Sequence, residues 1–433
     1  MFDVIVLGGG AAGFYGAIHI AERNPKLKIA ILERGKEVLT KVKVSGGGRC
    51  NVAHAEFDPK EISKNYPRGE RELVGPFHTY CSGDTMAFFE KRGIQLNIEA
   101  DGRMFPATNS SQTIIDCFLQ ETDRLGIKVL KNSSIIGITS LDGNTAKGDY
   151  SWAIKTIRNT YQAKKILVAT GSNPKIWELL RQMGHTIIAP VPSLFTFNIK
   201  DERITGIQGV STNANIQIIP SKVNNGKFKA ALKKYSIQSS DLESEGPLLI
   251  THWGMSGPGI LRLSAWGARI LNELNYNFSI KINWLPAYHE EGLLRQLQQI
   301  KEIEGRKTIL RTKAFDLPKR LWGSLVKAAQ ISDTDKWADI SKIQLQNLAK
   351  QLTGSTFRVD GKSTFKEEFV TAGGVDLKEI NFKTYESKIH PGLYFAGEVI
   401  NVDAITGGFN FQNAWTGAYI AAQAITMELT HKP

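Results

Sequence analysis

The sequence predicts an α/β fold: a doubly wound domain interrupted by an insert that is part β-barrel and part helical. Three observations predict it. An apolar run at residues 4–7 passes straight into a glycine-rich turn, Gly8-Gly9-Gly10-Ala11-Ala12-Gly13. A second apolar run, Lys28-Ile29-Ala30-Ile31-Leu32, ends on the acid Glu33. Apolar strands ending on glycine return at residues 165–171 and 392–398, and a stretch of different character lies between them.

An unbroken apolar run bounded by glycines suits a strand buried on both faces of a parallel sheet. Gly8, Gly10 and Gly13 fit the pattern G-x-G-x-x-G. The first glycine permits the tight turn, the second lets a pyrophosphate approach the backbone, and the third lets the next helix lie close. Ala11 and Ala12 open that helix, where free N–H groups and the helix dipole favour an anion. Glu33 follows about 20 residues later, where a ribose hydroxyl needs an acceptor, with Arg34 beside it. A glycine turn alone is compatible with a structural role. Strand, turn, helix, strand and acid in this order predict an adenine dinucleotide site.

A chain of 433 residues with 42% hydrophobic content can form two or three ordinary cores. It shows no charged N-terminal region with a cleavage site and no apolar run of membrane-spanning length, so a soluble cytoplasmic protein is expected. Cys50, Cys81 and Cys117 show no CxxC, haem or zinc spacing, which predicts neither disulfides nor a metal centre. The net charge is +12, and residues 189–350 carry 22 Lys and Arg against 14 Asp and Glu. Five lysines fall within residues 222–234 and six basic residues within 306–320. Net charge argues about solubility and non-specific binding, so a solvated basic surface is the expected reading. No RRM-like aromatic motif accompanies it, and a nucleic-acid partner is not expected.

After Glu33 comes a second glycine-rich loop, Lys41-Val42-Lys43-Val44-Ser45-Gly46-Gly47-Gly48-Arg49-Cys50-Asn51. Three consecutive glycines expose backbone N–H groups to a polar or anionic ligand. GGGAAG, Glu33 and SGGGRCN together resemble the BaiN/RdsA-type family of bacterial FAD-dependent oxidoreductases, and more broadly the glutathione-reductase-like and fumarate-reductase-like flavoproteins. The resemblance implies FAD as cofactor, with Lys41 and residues 45–51 passing beside the pyrophosphate and flavin. The family also carries a stretch like Gly102-Arg103-Met104-Phe105-Pro106 and an ATG turn like Ala169-Thr170-Gly171. Past that turn the sequence departs from the family, reading Ser172-Asn173-Pro174-Lys175-Ile176-Trp177 in place of a glycine-rich segment.

Helical spacing is expected at residues 83–92 and 113–125, and short strands with turns at 142–143 and 158–159 suggest an antiparallel meander. Pro190-Val191-Pro192 reads as a break and a boundary. The domains are therefore placed at 1–189, 190–351 and 352–433, the first and last together forming the FAD domain. Alternating runs at 195–199, 215–219, 248–251 and 278–284, then helices at 293–300, 321–329 and 343–352, build the insert. Within it, Thr251-His252-Trp253-Gly254-Met255-Ser256-Gly257-Pro258 matches the family's THxGxSGP stretch, although a hydrogen-bonded structural histidine at a strand end is favoured over a catalytic one for His252. Near the C-terminus, Gly397 and Glu398 end a strand, and Gly407-Gly408-Phe409-Asn410-Phe411-Gln412 opens a helix. The resemblance implies that Glu398 holds the ribityl side and that the helix N-terminus faces the flavin N1–C2=O edge.

These readings converge on an FAD-dependent oxidoreductase that moves hydride to or from carbon, for example by reducing a conjugated C=C bond of a small molecule. No second dinucleotide fingerprint is present, so no dedicated NAD(P)H domain is expected, and NAD(P)H is expected only as a transient donor over the flavin. Arg49, Asn51, Arg103 and His252 are the polar candidates to face substrate, in a pocket between cofactor and insert. Two rival readings are an RNA-modifying flavoprotein that uses the basic insert and a flavin-binding sensor without turnover.

Overall fold

The computed structural model describes residues 1–141, 151–221, 224–363 and 370–430. It divides into two compact units, Met1–Val191 with Lys366–Pro433, and Pro192–Phe365.

The first unit is built on a mixed sheet ordered Ile380–Asn381, Glu386–Ser387, Leu393–Phe395, Thr160–Val168, Phe2–Leu7, Ile29–Leu32, Lys128–Leu130. The four pairings from Leu393–Phe395 across to Lys128–Leu130 are parallel, with Val6 opposite both Leu167 and Ile31. Val4, Ile5, Val6 and Leu7 are fully buried, as strands covered on both faces require. The helix Ala11–Arg23 packs along the C-terminal helix Phe409–Thr430. The first of these helices also lies close on the sheet at Gly16, where a Cβ would come within 2.6 Å of the Leu167 side chain on the strand Thr160–Val168. Trp415 on the C-terminal helix donates its indole N–H to the Val52 carbonyl at 2.9 Å, tying that helix to the strand Ala53–His54.

Two expectations need revision here. The antiparallel meander and the run at 165–171, expected as separate segments, share one strand, Thr160–Val168. Its first half pairs antiparallel with Trp152–Thr156 and its second half parallel with Phe2–Leu7. The polar residues there make no break: Lys164 is exposed and pairs with Asp3 at 2.8 Å, while Lys165 is buried and ion-paired with Glu428. Nor does Pro190-Val191-Pro192 interrupt structure: it lies in the strand Ile187–Ser193, which forms a two-stranded sheet with Val370–Val375. A strand with an open edge tolerates prolines that lack an N–H. The turn expected at 142–143 lies outside the described residues.

The second unit holds a seven-stranded antiparallel sheet in the order Ser355–Asp360, Asn277–Asn283, Ser211–Ile219, Glu243–Ile250, Gly254–Ser256, Thr196–Asn198, Lys362–Ser363. The strands at the two ends of that path are separated in the chain by Gly361 alone, so the sheet curls round on itself as a barrel does. Alternation sets the inside: Ala214, Ile216 and Ile218 are buried, as are Phe278, Ile280 and Ile282 on the neighbouring strand. The expected helices appear as Glu290–Ile303, Lys319–Ala328 and Lys342–Gly354. Three further helices, Asn225–Tyr235, Pro258–Trp266 and Ala268–Glu273, were not expected. The second boundary falls later than 352, because Ser355–Asp360 pairs with Asn277–Asn283, with Phe357 opposite Ile280.

Candidate functional site

The fingerprint turn lies at the carboxyl ends of the parallel strands, where open α/β sheets bind ligands. Its three glycines do different work. A Cβ on Gly8 would stand 2.5 Å from the Ala169 carbonyl oxygen, and one on Gly13 would stand 2.0 Å from the Gly8 carbonyl oxygen. A Cβ on Gly10 would meet nothing within 4 Å. Gly8 and Gly13 are therefore demanded by the protein's own packing, whereas Gly10 borders open space. The helix beginning at Ala11 and Ala12 has Gly10 as N-cap and no side-chain cap, which leaves its first donors for a ligand.

Glu33 is held against this turn. Its Oε2 accepts the Gly9 N–H at 2.9 Å and its Oε1 accepts the Gly35 N–H at 2.7 Å. A carboxylate has about four acceptor sites, so both oxygens retain capacity for ribose hydroxyls. A cavity of about 110 Å³ opens here, lined by Gly8, Glu33, Arg34, Ser134, Thr170 and Lys175 among others. Ser134 and Lys175 carry no motif and were not expected. The Thr170 hydroxyl is buried without a hydrogen-bond partner among the described residues.

The second glycine loop forms a short 3-10 turn, Ser45–Gly48, with Gly46, Gly47 and Gly48 at φ of 57°, 68° and 84°. All three are exposed, and a Cβ on Gly47 or Gly48 would meet nothing within 4 Å. The Ser45 hydroxyl is used locally, donating to Val42 O at 2.8 Å. Burial pushes the Cys50 thiol up to about 12, so it stays protonated and is no nucleophile. Arg49 and Arg103 are brought together on Glu99, at 2.7 Å from Oε1 and 2.8 Å from Oε2 respectively. Arg49 also lies over the Phe105 ring, 3.8 Å from its centroid. Both arginines keep donors beyond these contacts.

Asn51 is spent on the fold instead of on substrate. In the amide orientation that satisfies both ends, its oxygen accepts the Gly408 N–H at 3.0 Å and its nitrogen donates to Ala53 O at 3.0 Å. It thereby staples the second glycine loop to the turn that opens the C-terminal helix. A Cβ on Gly408 would stand 2.5 Å from the Ala53 carbonyl oxygen, so that turn presses on the same strand. Asn410 braces the approach through Ala404, accepting its N–H at 3.0 Å and donating to its carbonyl at 3.1 Å. Phe411 stacks on Trp415. Phe409 stacks on His54, whose Nδ1 is 3.0 Å from Gly407 O. His54 was missed because a single histidine three residues past the loop carries no pattern. Beside Gly171, the Glu398 carboxylate takes an ion pair from Lys41 at 2.6 Å, while Gly397 packs against Ala12.

Comparison with known proteins accounts for this assembly. A family model described as HI0933-like protein Rossmann domain matches residues 2–424. The chain belongs to this family of FAD-dependent oxidoreductases. Over 434 residues, covering 98% of both chains, it is 28% identical to a ribosomal RNA dihydrouridine synthase of Haemophilus influenzae. A protein of the same description from Escherichia coli is 26% identical over 430 residues, 98% of this chain and 97% of that protein. A 3-dehydro-bile acid delta(4,6)-reductase of Clostridium scindens is 24% identical over 427 residues, covering 97% of this chain and 98% of that protein.

As a member of the HI0933-like family the chain takes FAD, and its residues fit that group. The open space at Gly10, the uncapped helix start, the exposed glycines at 46–48 and the unpartnered Thr170 hydroxyl are what a pyrophosphate and its ribose-linked neighbours require. His252, by contrast, belongs to the second unit, on an exposed turn at residues 251–254. That turn is fixed from within: Thr251 N–H donates to Gly254 O at 2.8 Å, and a Cβ on Gly254 would stand 2.2 Å from Phe197 O. The glycines of the THxGxSGP stretch thus serve strand packing. Among the described residues no cluster of His, Cys, Asp and Glu could hold a metal ion, and no helix is long and apolar enough to cross a membrane.

Proposed function

We propose that this enzyme reduces the C5–C6 double bond of a uracil in ribosomal RNA, with NAD(P)H as electron donor. The observation that carries this reading is end-to-end similarity to ribosomal RNA dihydrouridine synthases of two organisms. The bile acid reductase fits the same chemistry, since a 3-oxo group beside ring double bonds is also a C=C bond conjugated to a carbonyl. In uracil the C4 carbonyl makes C6 the electrophilic carbon. Hydride adds at C6, a proton adds at C5, and NAD(P)H is oxidised to NAD(P)⁺. FAD, when bound, supplies the hydride-transfer chemistry between donor and uracil. The arginines at 49 and 103 supply N–H donors that suit a pyrimidine carbonyl or a phosphate. The surplus of positive charge, read from sequence as a solvated surface, supports a polyanionic substrate in this context. A cytoplasmic setting follows from such a substrate.

The test is chemical. Ribosomal RNA from a strain lacking the gene, digested to nucleosides, is expected to lose dihydrouridine by mass spectrometry and to regain it when the gene is restored. An unchanged dihydrouridine level, together with reduction of a steroid-type enone by the purified protein, would replace this reading with a small-molecule one.

A further inference from the structure

We propose that residues 305–320 and the start of the helix Lys319–Ala328 form a grip for the phosphate backbone of RNA; this rests on the ribosomal RNA reading above. Between Gly305 and Lys327 the chain carries seven basic residues and one acid, Asp316. Arg306, Arg311, Lys313, Lys319 and Arg320 are all exposed, and among the described residues none of the five is paired with a carboxylate. Lys307 is paired, with Glu304 at 2.6 Å.

The segment is irregular, yet it is held firmly. Trp322 donates its indole N–H to Ile309 O at 3.2 Å, and Trp337 donates to the Thr312 hydroxyl at 2.8 Å. Thr308 forms a β-bridge with Lys336, another exposed cation. Both tryptophans are buried, so the loop's inner side is fixed in the core while its cations face outward. Such a preformed surface loses little freedom on binding.

Lys319 and Arg320 sit in the first turn of their helix, which has no acidic residue there and no side-chain cap. Cations at a helix N-terminus oppose the dipole and work against the helix's own stability. A phosphate placed there would reverse the sign of that interaction. The partner chemistry that fits is therefore a chain of phosphates, recognised by charge and without base readout.

The test uses the full-length FAD-loaded protein and an unmodified ribosomal RNA transcript, titrated between 50 and 200 mM KCl. Each phosphate contact on single-stranded RNA contributes about 0.7 to the slope of log affinity against log salt. The variant R311Q/K319Q/R320Q is expected to lower that slope by about 2 while keeping its flavin absorbance. K227Q/K229Q/K233Q, which removes equal charge from the exposed side of the helix Asn225–Tyr235, is expected to bind as the wild type does. Equal losses in both variants, or wild-type binding to phosphatidylglycerol vesicles in place of the transcript, would overturn the proposal. Dihydrouridine in complemented cells separates the two readings. If wild type and R311Q/K319Q/R320Q restore it equally, the grip falls and the reaction stands. If wild type fails to restore it, the reaction falls and the salt titration alone judges the grip.

Discussion

Lys41 and Glu398, 357 positions apart, meet with Nζ 2.6 Å from Oε2. The carboxylate is also fixed from the other side, its Oε1 accepting the Thr371 N–H at 3.1 Å. The pair joins the loop after the second strand to the turn after Leu393–Phe395, two segments that the sequence predicts to meet the cofactor. Lys41 is 55% exposed and Glu398 18%, so the pair contributes little to folding, on the order of 0–1 kcal/mol. Its value lies in placing a positive charge beside the glycine turns. Lys41→Met is therefore expected to leave the unfolding free energy of the apoprotein within about 1 kcal/mol of wild type. FAD affinity should fall several-fold in a fluorescence titration. Unchanged FAD affinity would show that Lys41 serves only Glu398.

Gly10 and Gly13 look alike in the motif but should fail differently. Valine at position 10 enters open space, so the apoprotein should keep its melting temperature and lose its capacity for FAD. Alanine at position 13 forces a Cβ toward the Gly8 carbonyl, and overpacking of this kind costs about 1–3 kcal/mol or more. Gly13→Ala is thus expected to lower the melting temperature of the apoprotein itself. Thermal unfolding and flavin content, measured on both variants, check the contrast; equal destabilisation by the two would contradict it.

His19 makes stability depend on pH. It lies on the fingerprint helix among the rings of Tyr15, Phe88 and Tyr419, with centroids 4.7, 5.1 and 5.0 Å away. Burial above all, and then the charges of Arg92 and Arg23, lower its pKa from 6.5 to about 3. Above pH 6.5 the imidazole is neutral in both folded and unfolded chains. Below it the unfolded chain takes a proton that the folded chain refuses, so stability falls as pH falls toward 3. The slope from this group is at most about 1.4 kcal/mol per pH unit. Urea unfolding at pH 7 and pH 5 should show wild type losing more stability than His19→Leu, by up to about 2 kcal/mol. Parallel losses would clear His19 of the effect.

The sequence by itself determined the parts whose physics is local. Strand Phe2–Leu7, its glycine turn and helix Ala11–Arg23 follow from an apolar run, backbone sterics and the absence of side chains at three positions within six residues. Strand Ile29–Leu32 with Glu33, the loop at 45–51 and the helix starting at Phe409 were legible for the same reason, as was an insert of strands and helices. Tertiary structure decided which residues of those segments remain available for chemistry. Asn51 was drawn into stapling Gly408, Arg49 and Arg103 converged on Glu99, and His54 came to lie against Phe409. It also decided that Ser355–Asp360 belongs with the insert and that a proline-rich stretch can be a strand. Apart from Arg103, four residues from Glu99, each of these depends on a partner tens to hundreds of residues away. Motif spacing constrains neighbours along the chain, whereas a side chain's last hydrogen bond is set by whichever segment folding brings beside it.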